Sequence, residues 1–549
     1  MKKRKNMGLP LIVAIAFVLN SCGLSSMISK FENIDYTVTP TEIEVHGGKV
    51  AIELDVTIPE KYFNKKATMK FTPALVGQKN GEFYQYVFKS VTLQGEQVSS
   101  NGITIGYVTG GKFTYNDAID YNESMYTLDL YARATATLND KTKSLGNKKI
   151  AEGVMATATR VANNEVPAIA AHTYEHETIL DETATIYFSV NQSNVRYSQK
   201  SSDDMKRLKK FAQLGYKTHS IEISSFASPE GTQDVNDKVS DNRAISTFNY
   251  AKQLLRSLKV DGSLNNELYI QSSKGEDWGG FNSLVKASQM KDKSKVLNIV
   301  RSQNDPQKRE EAIRDMAEIY DALEDDVLPK LRKATITLRA YQPKKTDEEI
   351  AALATENPAE LDNKELLFAA ELTDSDMAIY TTATTQFPND YRGFNNIAAL
   401  HLAEGDVAQA KNWLDKANTI SANEGPVLEN YGIIAAWEGN IDKAQTLFDQ
   451  GNAAAVNQGI LDIRQGDYKG AVSKLNGNGY NATLAKIMNG NNVTTSATTA
   501  AAHYLNAVSA ARSGNNALVL ENLNKAFTLD DSLKSEAQND IEFAGITIE

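Results

Sequence analysis

The 549-residue chain has a single cysteine, Cys22, and only six histidines. One thiol cannot close an internal disulfide, so no disulfide framework holds the fold. An excess of positive charge is missing too. The balance is −11, which argues against nucleic acid or an anionic membrane surface as the main partner. Past the N-terminus no run approaches 18 apolar residues, the length a spanning helix needs. No Ser/His, Cys/His or paired-carboxylate constellation stands out, and Asp325-Asp326 lacks the glycine and terminal glutamate of an EF-hand loop. The chain therefore reads as non-catalytic, with no metal and no cofactor. Its 41% of hydrophobic residues is enough for real cores, and its length suits about three or four domains.

At the N-terminus, Lys2, Lys3, Arg4 and Lys5 precede a short apolar run, Leu9 to Leu19. That run is too short to span a bilayer. Leu19-Asn20-Ser21-Cys22 follows and resembles a lipobox. The resemblance implies that residues 1–21 are a lipoprotein signal peptide and that Cys22 is lipidated. An amide-linked chain added to a diacylglycerol anchors stably, where one chain alone is marginal. Residues 22–32 are expected to be a tether. Surface-exported lipoproteins of the Bacteroidota often carry acidic residues just after the cysteine. None occurs here before Glu32, which favours the periplasmic face of the outer membrane.

Residues 33–165 alternate with period two. Val50, Ile52, Leu54, Val56 and Ile58 share one face, and Gly47-Gly48 reads as a hairpin turn. Further strands are expected at Thr68–Leu75, Tyr84–Val91, Ile103–Val108 and Tyr126–Leu138, which together suggest an antiparallel β-sandwich. The aromatics Tyr62, Phe63, Phe83, Tyr84, Tyr86 and Phe88 suit core and sheet packing better than a sugar-binding face. Residues 166–177 read as a solvated linker. Within them His172-Thr173-Tyr174-Glu175-His176 spells an inverted zinc-protease pattern. That chemistry needs both histidines one turn apart on a helix, and a short segment bordering a strand does not offer one.

The stretch Ile221 to Ala244 organises the middle of the chain. Ile221 and Ile223 alternate as in a strand, and Ala227-Ser228-Pro229-Glu230-Gly231 forms a bend. Asn236, Val239-Ser240 and Arg243-Ala244 then open a helix. These positions, at these spacings, resemble the OmpA-like C-terminal domain, a periplasmic module that holds peptidoglycan. The resemblance implies an OmpA-like α/β sandwich over residues 178–343, with a helical insertion at about 262–330, and a pocket built from Ser228, Glu230, Asn236 and Arg243. The family's loop normally carries an aspartate that grips the amino group of the stem peptide's diamino acid. Ser228 stands in its place, and a neutral hydroxyl makes a weaker bond to an ammonium. Glu230 offers a charge two residues on. Arg243 either holds a carboxylate through its planar fork or ties the loop to the helix. Trp278, among acidic residues, either packs under the insertion or stacks on a sugar.

A charged joint, 344–362, leads to residues 363–545. There Glu404-Gly405-Asp406 and Glu438-Gly439-Asn440 place glycines 34 residues apart, the tetratricopeptide period. Gln465-Gly466-Asp467 and Ser513-Gly514-Asn515 continue the series. Such repeats resemble tetratricopeptide units, stacked as an α-solenoid whose concave surface takes peptides or protein segments. The whole resembles a Bacteroidota-type outer-membrane lipoprotein. The expected function is to link the membrane to peptidoglycan and recruit envelope proteins. The alternative is a scaffold or adaptor of a secretion or assembly machine, without peptidoglycan binding.

Overall fold

The computed structural model describes residues 23–79 and 81–549. The expected signal peptide and Cys22 lie outside the described residues. The chain forms two compact units. One joins the chain up to Ala171 to Ser375–Glu549, and the other is His172–Asp374.

In the first unit, residues 23–29 are helical, and Leu24, Met27 and Phe31 are buried in the core of the β-rich region. The stretch expected to be a free tether is therefore part of the fold, because its three apolar side chains recur at helical spacing. The β-rich region has two sheets. The first orders β1 (Asp35–Thr39), β3 (Lys49–Ile58) and β2 (Val45–His46), with β9 (Gly111–Asp120) also paired to β3. The second runs β6 (Glu82–Val87), β5 (Ala74–Lys79), β10 (Asp129–Leu138), β4 (Thr68–Phe71), β7 (Val91–Gly95) and β8 (Ile103–Ile105), with β11 (Lys141–Ala151) on β10. Inward faces from both sheets meet in one core, as where Phe71 meets Phe113 edge-on at 5.9 Å. The pairing is antiparallel except for β7 and β8, which run parallel. The expected strand Thr68–Leu75 is broken at Thr72-Pro73 into β4 and β5, since proline has no N–H for a ladder. Tyr62, Phe63 and Phe88 are buried, whereas Phe83 is exposed.

The C-terminal part of this unit is a run of helix pairs. Tyr391–Ala403 packs on Val407–Ile420, Gly425–Trp437 on Ile441–Gly451, Ala455–Gln465 on Tyr468–Lys474, and Ala500–Arg512 on Asn516–Leu529. The 34-residue glycines mark the bend inside each pair. Gly405 and Gly439 both have φ of +78°, which costs little only without a Cβ. Asp406 then caps the next helix through the N–H of Gln409 at 3.0 Å. Close approach explains the small residues: Ala410, Ala417, Ala444 and Ala471 are fully buried. A Cβ on Gly432 would lie 2.4 Å from Phe448.

The β-rich region is not a separate body from these repeats. Glu44 and Glu542 both bind Arg512, at 2.6 and 2.5 Å, and Thr157 donates to Glu542. Arg160 lies 3.7 Å over the ring of Tyr504. The expected division at residue 165 thus crosses a continuous, charge-paired packing surface.

The second unit is built on a four-stranded sheet ordered β12 (Ile179–Tyr187), β15 (Lys333–Tyr341), β13 (Thr218–Ala227) and β14 (Tyr269–Glu276). Only β13 and β14 are parallel. Ala184, Ile336 and Ile223 lie in register across three strands and are fully buried. Helices Asp203–Ala212 and Gln233–Ser257 cover the sheet with Met205, Leu208, Ala251 and Leu255. Because β14 falls inside the range expected to be inserted, the helices outside the sheet run only from Trp278 to Leu331. They have their own small core around Phe281, Val296 and Leu331. The expected joint at 344–362 is partly helical. Thr346 and Glu349 form a capping box that starts the helix Asp347–Glu356. The helix Asn363–Leu372 belongs to this unit and not to the repeats.

Candidate functional site

Two places gather polar side chains with defined partners. The first is the loop between β13 and the helix Gln233–Ser257, where all four residues expected to bind peptidoglycan come together. Ser240 locks that helix to the sheet. It donates to the Ser225 carbonyl at 3.0 Å and accepts from Ser273 at 2.9 Å. Asn236 donates to the Gly231 carbonyl at 3.1 Å, closing the bend, and to Glu276 at 2.8 Å.

Arg243 is 1% exposed. Its guanidinium donates to three backbone carbonyls: Phe226 at 2.8 Å, Gln192 at 3.0 Å and Ser189 at 3.3 Å. Burial, helped by nearby Arg332 and opposed by Glu230, pulls its pKa down to about 10. Glu230 receives a two-pronged bond from Arg332 at 2.7 and 2.8 Å, and Ser228 donates to it at 2.6 Å. Ser228 is 3% exposed. Each of the four residues is thus already engaged with its own chain.

The inserted helix Pro306–Arg314 lies against this loop. Arg314 donates to the Glu230 carbonyl at 3.2 Å. Glu310 is buried beside Glu276, and one of its oxygens has no hydrogen-bond partner. Burial first, then the neighbouring Glu276 carboxyl, pushes its pKa up to about 8. Trp278 donates to Glu276 at 2.8 Å and carries Arg309 over its ring at 4.5 Å. It packs under the insertion, and Arg309 occupies the face a sugar would need. The His172–His176 motif is irregular, not helical, with Thr173 at a φ of +57°. Both imidazoles pack against Phe368, and among the described residues no group of three or more ligands is placed to hold a metal.

The second place is the inner surface of the repeats, and sequence reasoning missed its occupant. Residues 162–170, expected to be sandwich end and linker, run along the first helices of three successive pairs and the helix Tyr480–Met488 that follows them. Four asparagines each grip one residue's backbone by both groups. Asn481 accepts from the Ala162 N–H and donates to its carbonyl, both at 2.9 Å. Asn457 does the same to Val166 at 2.7 and 2.8 Å. Asn430 holds Ala168 at 2.7 and 2.9 Å, and Asn396 holds Ala170 at 2.8 and 3.2 Å. Val166, Ala168 and Ala170 alternate because in an extended chain alternate residues turn the same backbone edge to one side, whereas Ala162 lies across a tight turn in which the Asn164 N–H donates to the Ala162 carbonyl at 3.0 Å. Asn506 clamps Thr495 of the last loop in the same way, at 2.8 and 3.2 Å. The available signal was the 34-residue spacing of Asn396 and Asn430, which matches that of the glycines.

Three side chains of the segment are also read: Asn163 accepts from Arg464 at 2.7 Å and Asn164 from Asn481 at 2.5 Å, beside Glu165. Glu165 is buried and accepts from Trp437 Nε1 at 2.6 Å and from Arg464 at 3.1 Å. Trp437 both touches Glu165 and packs between neighbouring pairs.

No family model matches the chain, and no curated protein matches it. A solved structure described as "Crystal structure of APC/C hetero-tetramer Cut9-Hcn1" is similar at 12% identity and a TM-score of 0.23. The match covers 62% of this chain and 59% of that one, so the chain spans under two thirds of that neighbour's length. A likeness that slight transfers neither fold nor activity, and the repeats rest on their own helix pairs and bend glycines.

Proposed function

We propose that the protein is a non-catalytic, lipid-anchored scaffold or adaptor at the periplasmic face of a Gram-negative outer membrane. In this reading the second unit is an OmpA-like domain whose ligand contacts have turned inward. The strand–loop–helix positions Gly231, Asn236, Ser240 and Arg243 support the OmpA-like assignment. The observation that carries the adaptor reading is the state of Arg243, a buried guanidinium saturated by three carbonyls under an inserted helix. Releasing it to grip a stem-peptide carboxylate would take the guanidinium from the Phe226 and Gln192 carbonyls, at about 1–3 kcal/mol each, while Ser189 keeps the Gln192 N–H at 3.1 Å. Lipidation at Cys22 would place the membrane two residues from Leu24, which is already in the core. The β-rich region would then sit close to the bilayer instead of hanging from a tether.

Sedimentation with purified sacculi tests the adaptor reading. The wild-type chain should stay in the supernatant, and wild-type co-sedimentation that Arg243→Ala abolishes would overturn it. Labelling with palmitate tests the anchor: Cys22→Ala should lose both label and outer-membrane recovery. The second reading, a peptidoglycan link, draws on the unpartnered oxygen of Glu310 beside Glu276. Those carboxyls stand near the loop that lacks the family's aspartate and could take an ammonium. Under that reading wild type sediments and Glu310→Gln releases it.

A further inference from the structure

The groove's present contents say what kind of molecule it takes. A primary carboxamide carries a donor and an acceptor on one edge, and so does an extended residue. Four such pairings, three of them on the alternate residues Val166, Ala168 and Ala170, recognise the backbone and leave the side chains of those residues unread. Val166 and Ile169 confirm that indifference, since both are about half exposed, at 57% and 46%. Selectivity enters at the other end, where Trp437 and Arg464 converge on the Glu165 carboxylate and Arg464 and Asn481 reach the Asn163 and Asn164 side chains. The groove is also narrow at Ala170, which is 1% exposed.

We propose that this groove is a recognition site for an extended peptide with an acidic side chain, that residues 162–170 are its resident occupant, and that a partner's segment of the same pattern exchanges with them. The inference deepens the adaptor reading and rests on it for the partner's existence, though not for the chemistry of the groove. Neutral amide pairs are each worth only about 0.5–1.5 kcal/mol net, because water replaces them when they open. Such contacts permit exchange. A resident tethered in the chain competes at an effective concentration on the order of millimolar, so an incoming peptide succeeds only where the resident is weakened or the newcomer is better matched.

The experiment uses the full chain and a labelled synthetic peptide copying residues 160–171, read by fluorescence anisotropy. The wild-type chain should bind weakly. Glu165→Gln in the chain weakens the resident while leaving the four clamps in place, and should tighten peptide binding several-fold. Replacing residues 162–170 by glycine and serine should tighten it at least about tenfold, or ~1.4 kcal/mol. Adding Asn430→Ala with Asn457→Ala to that protein should abolish binding, and a peptide carrying glutamine in place of the glutamate should bind about tenfold worse, or ~1.4 kcal/mol. If the replaced chain loses its native circular dichroism, the Glu165→Gln comparison decides alone: binding no tighter than wild type overturns the proposal. So does a folded replaced chain that ignores the peptide, or one that binds both peptides equally. Failure here with no sedimentation on sacculi would leave the adaptor reading standing and remove only the exchange.

Discussion

The loop of the second unit and the groove of the first are both filled by their own chain, but with opposite chemistry. The loop is closed by charge: Arg243 on carbonyls, Arg332 on Glu230, Arg314 on the loop backbone. The groove is closed mainly by neutral carboxamides on a peptide edge, with one buried ion pair, Arg464 on Glu165. A buried ion whose partner leaves is stranded at a cost of about 3–5 kcal/mol, whereas a neutral amide is rehydrated. The loop, held by several charged contacts, is thus the harder of the two to open, and in the groove the Glu165 pair is the contact that resists. The likeness between them is that each has taken over a surface that sequence pattern assigns to an outside ligand.

The strongest way to break the comparison is to destroy one side only. Ala444 is fully buried between the helices Gly425–Trp437 and Ile441–Gly451. Ala444→Arg forces a charge into that contact at a cost of about 3–5 kcal/mol or more. Calorimetry should show the first unit melting earlier as one transition, β-rich region included, because Arg512 and Arg160 join it to the repeats. The transition of the second unit should not move. A β-rich region that keeps its own unshifted transition would contradict the shared packing.

Next comes Arg243→Ala, which takes the guanidinium from three carbonyls and should cost the second unit about 3 kcal/mol. Arg243→Lys should restore little, since one ammonium cannot reach three acceptors set around a planar fork. Full stability in either variant would mean that the guanidinium is free for a ligand after all.

These two sites were legible to different degrees, for physical reasons. The repeats showed themselves through Gly405 and Gly439, because a helix bend needs a positive φ at a fixed interval. The hairpin at Gly47-Gly48 and the strand through Val50 and Ile58 were plain for the same kind of reason, a fixed turn and a strict alternation. β11 left no such trace. Lys141, Lys143 and Lys149 are exposed, Lys148 bonds the Glu32 and Ile34 carbonyls, and Leu145 is its one buried residue, so no apolar period marks it. The residues of the central loop were found, but not their engagement, which depends on Arg332 and Arg314 some 80–100 positions away. The occupant of the groove was hidden most completely. Where a site reads only backbone it asks nothing of its ligand's side chains, so at that end Ala168 and Ala170 look like linker.

A smaller effect sharpens the groove side. Asn430→Ala removes its own two bonds to Ala168, leaving only the Asn395 amide on the carbonyl at 2.9 Å, and should cost about 1–3 kcal/mol, with the segment near Val166 becoming open to limited proteolysis. Asn522, buried on a second helix and bonded only within it, to the Leu518 carbonyl, should tolerate alanine with no new cleavage there. Equal cleavage in the two variants would show general loosening in place of a specific clamp.

The smallest expected effect is a pH response confined to the loop side. Glu310 has its pKa raised from 4.5 to about 8, mainly by burial. The folded unit therefore keeps a proton that the unfolded chain has lost at any pH between those values. Its contribution to stability is complete below pH 4.5, declines as pH rises through that window, and is gone above about 8. The inserted helices should accordingly be cleaved by protease more readily at about pH 8.5, just above that window, than at about pH 5.5, near its lower end. Glu310→Gln keeps a neutral carboxamide at the same place and should flatten the difference, while the groove segment shows no such dependence because its clamps do not titrate. A wild-type insertion that is cut equally at both pH values would mean that Glu310 is already ionised, with its free oxygen available to a cation.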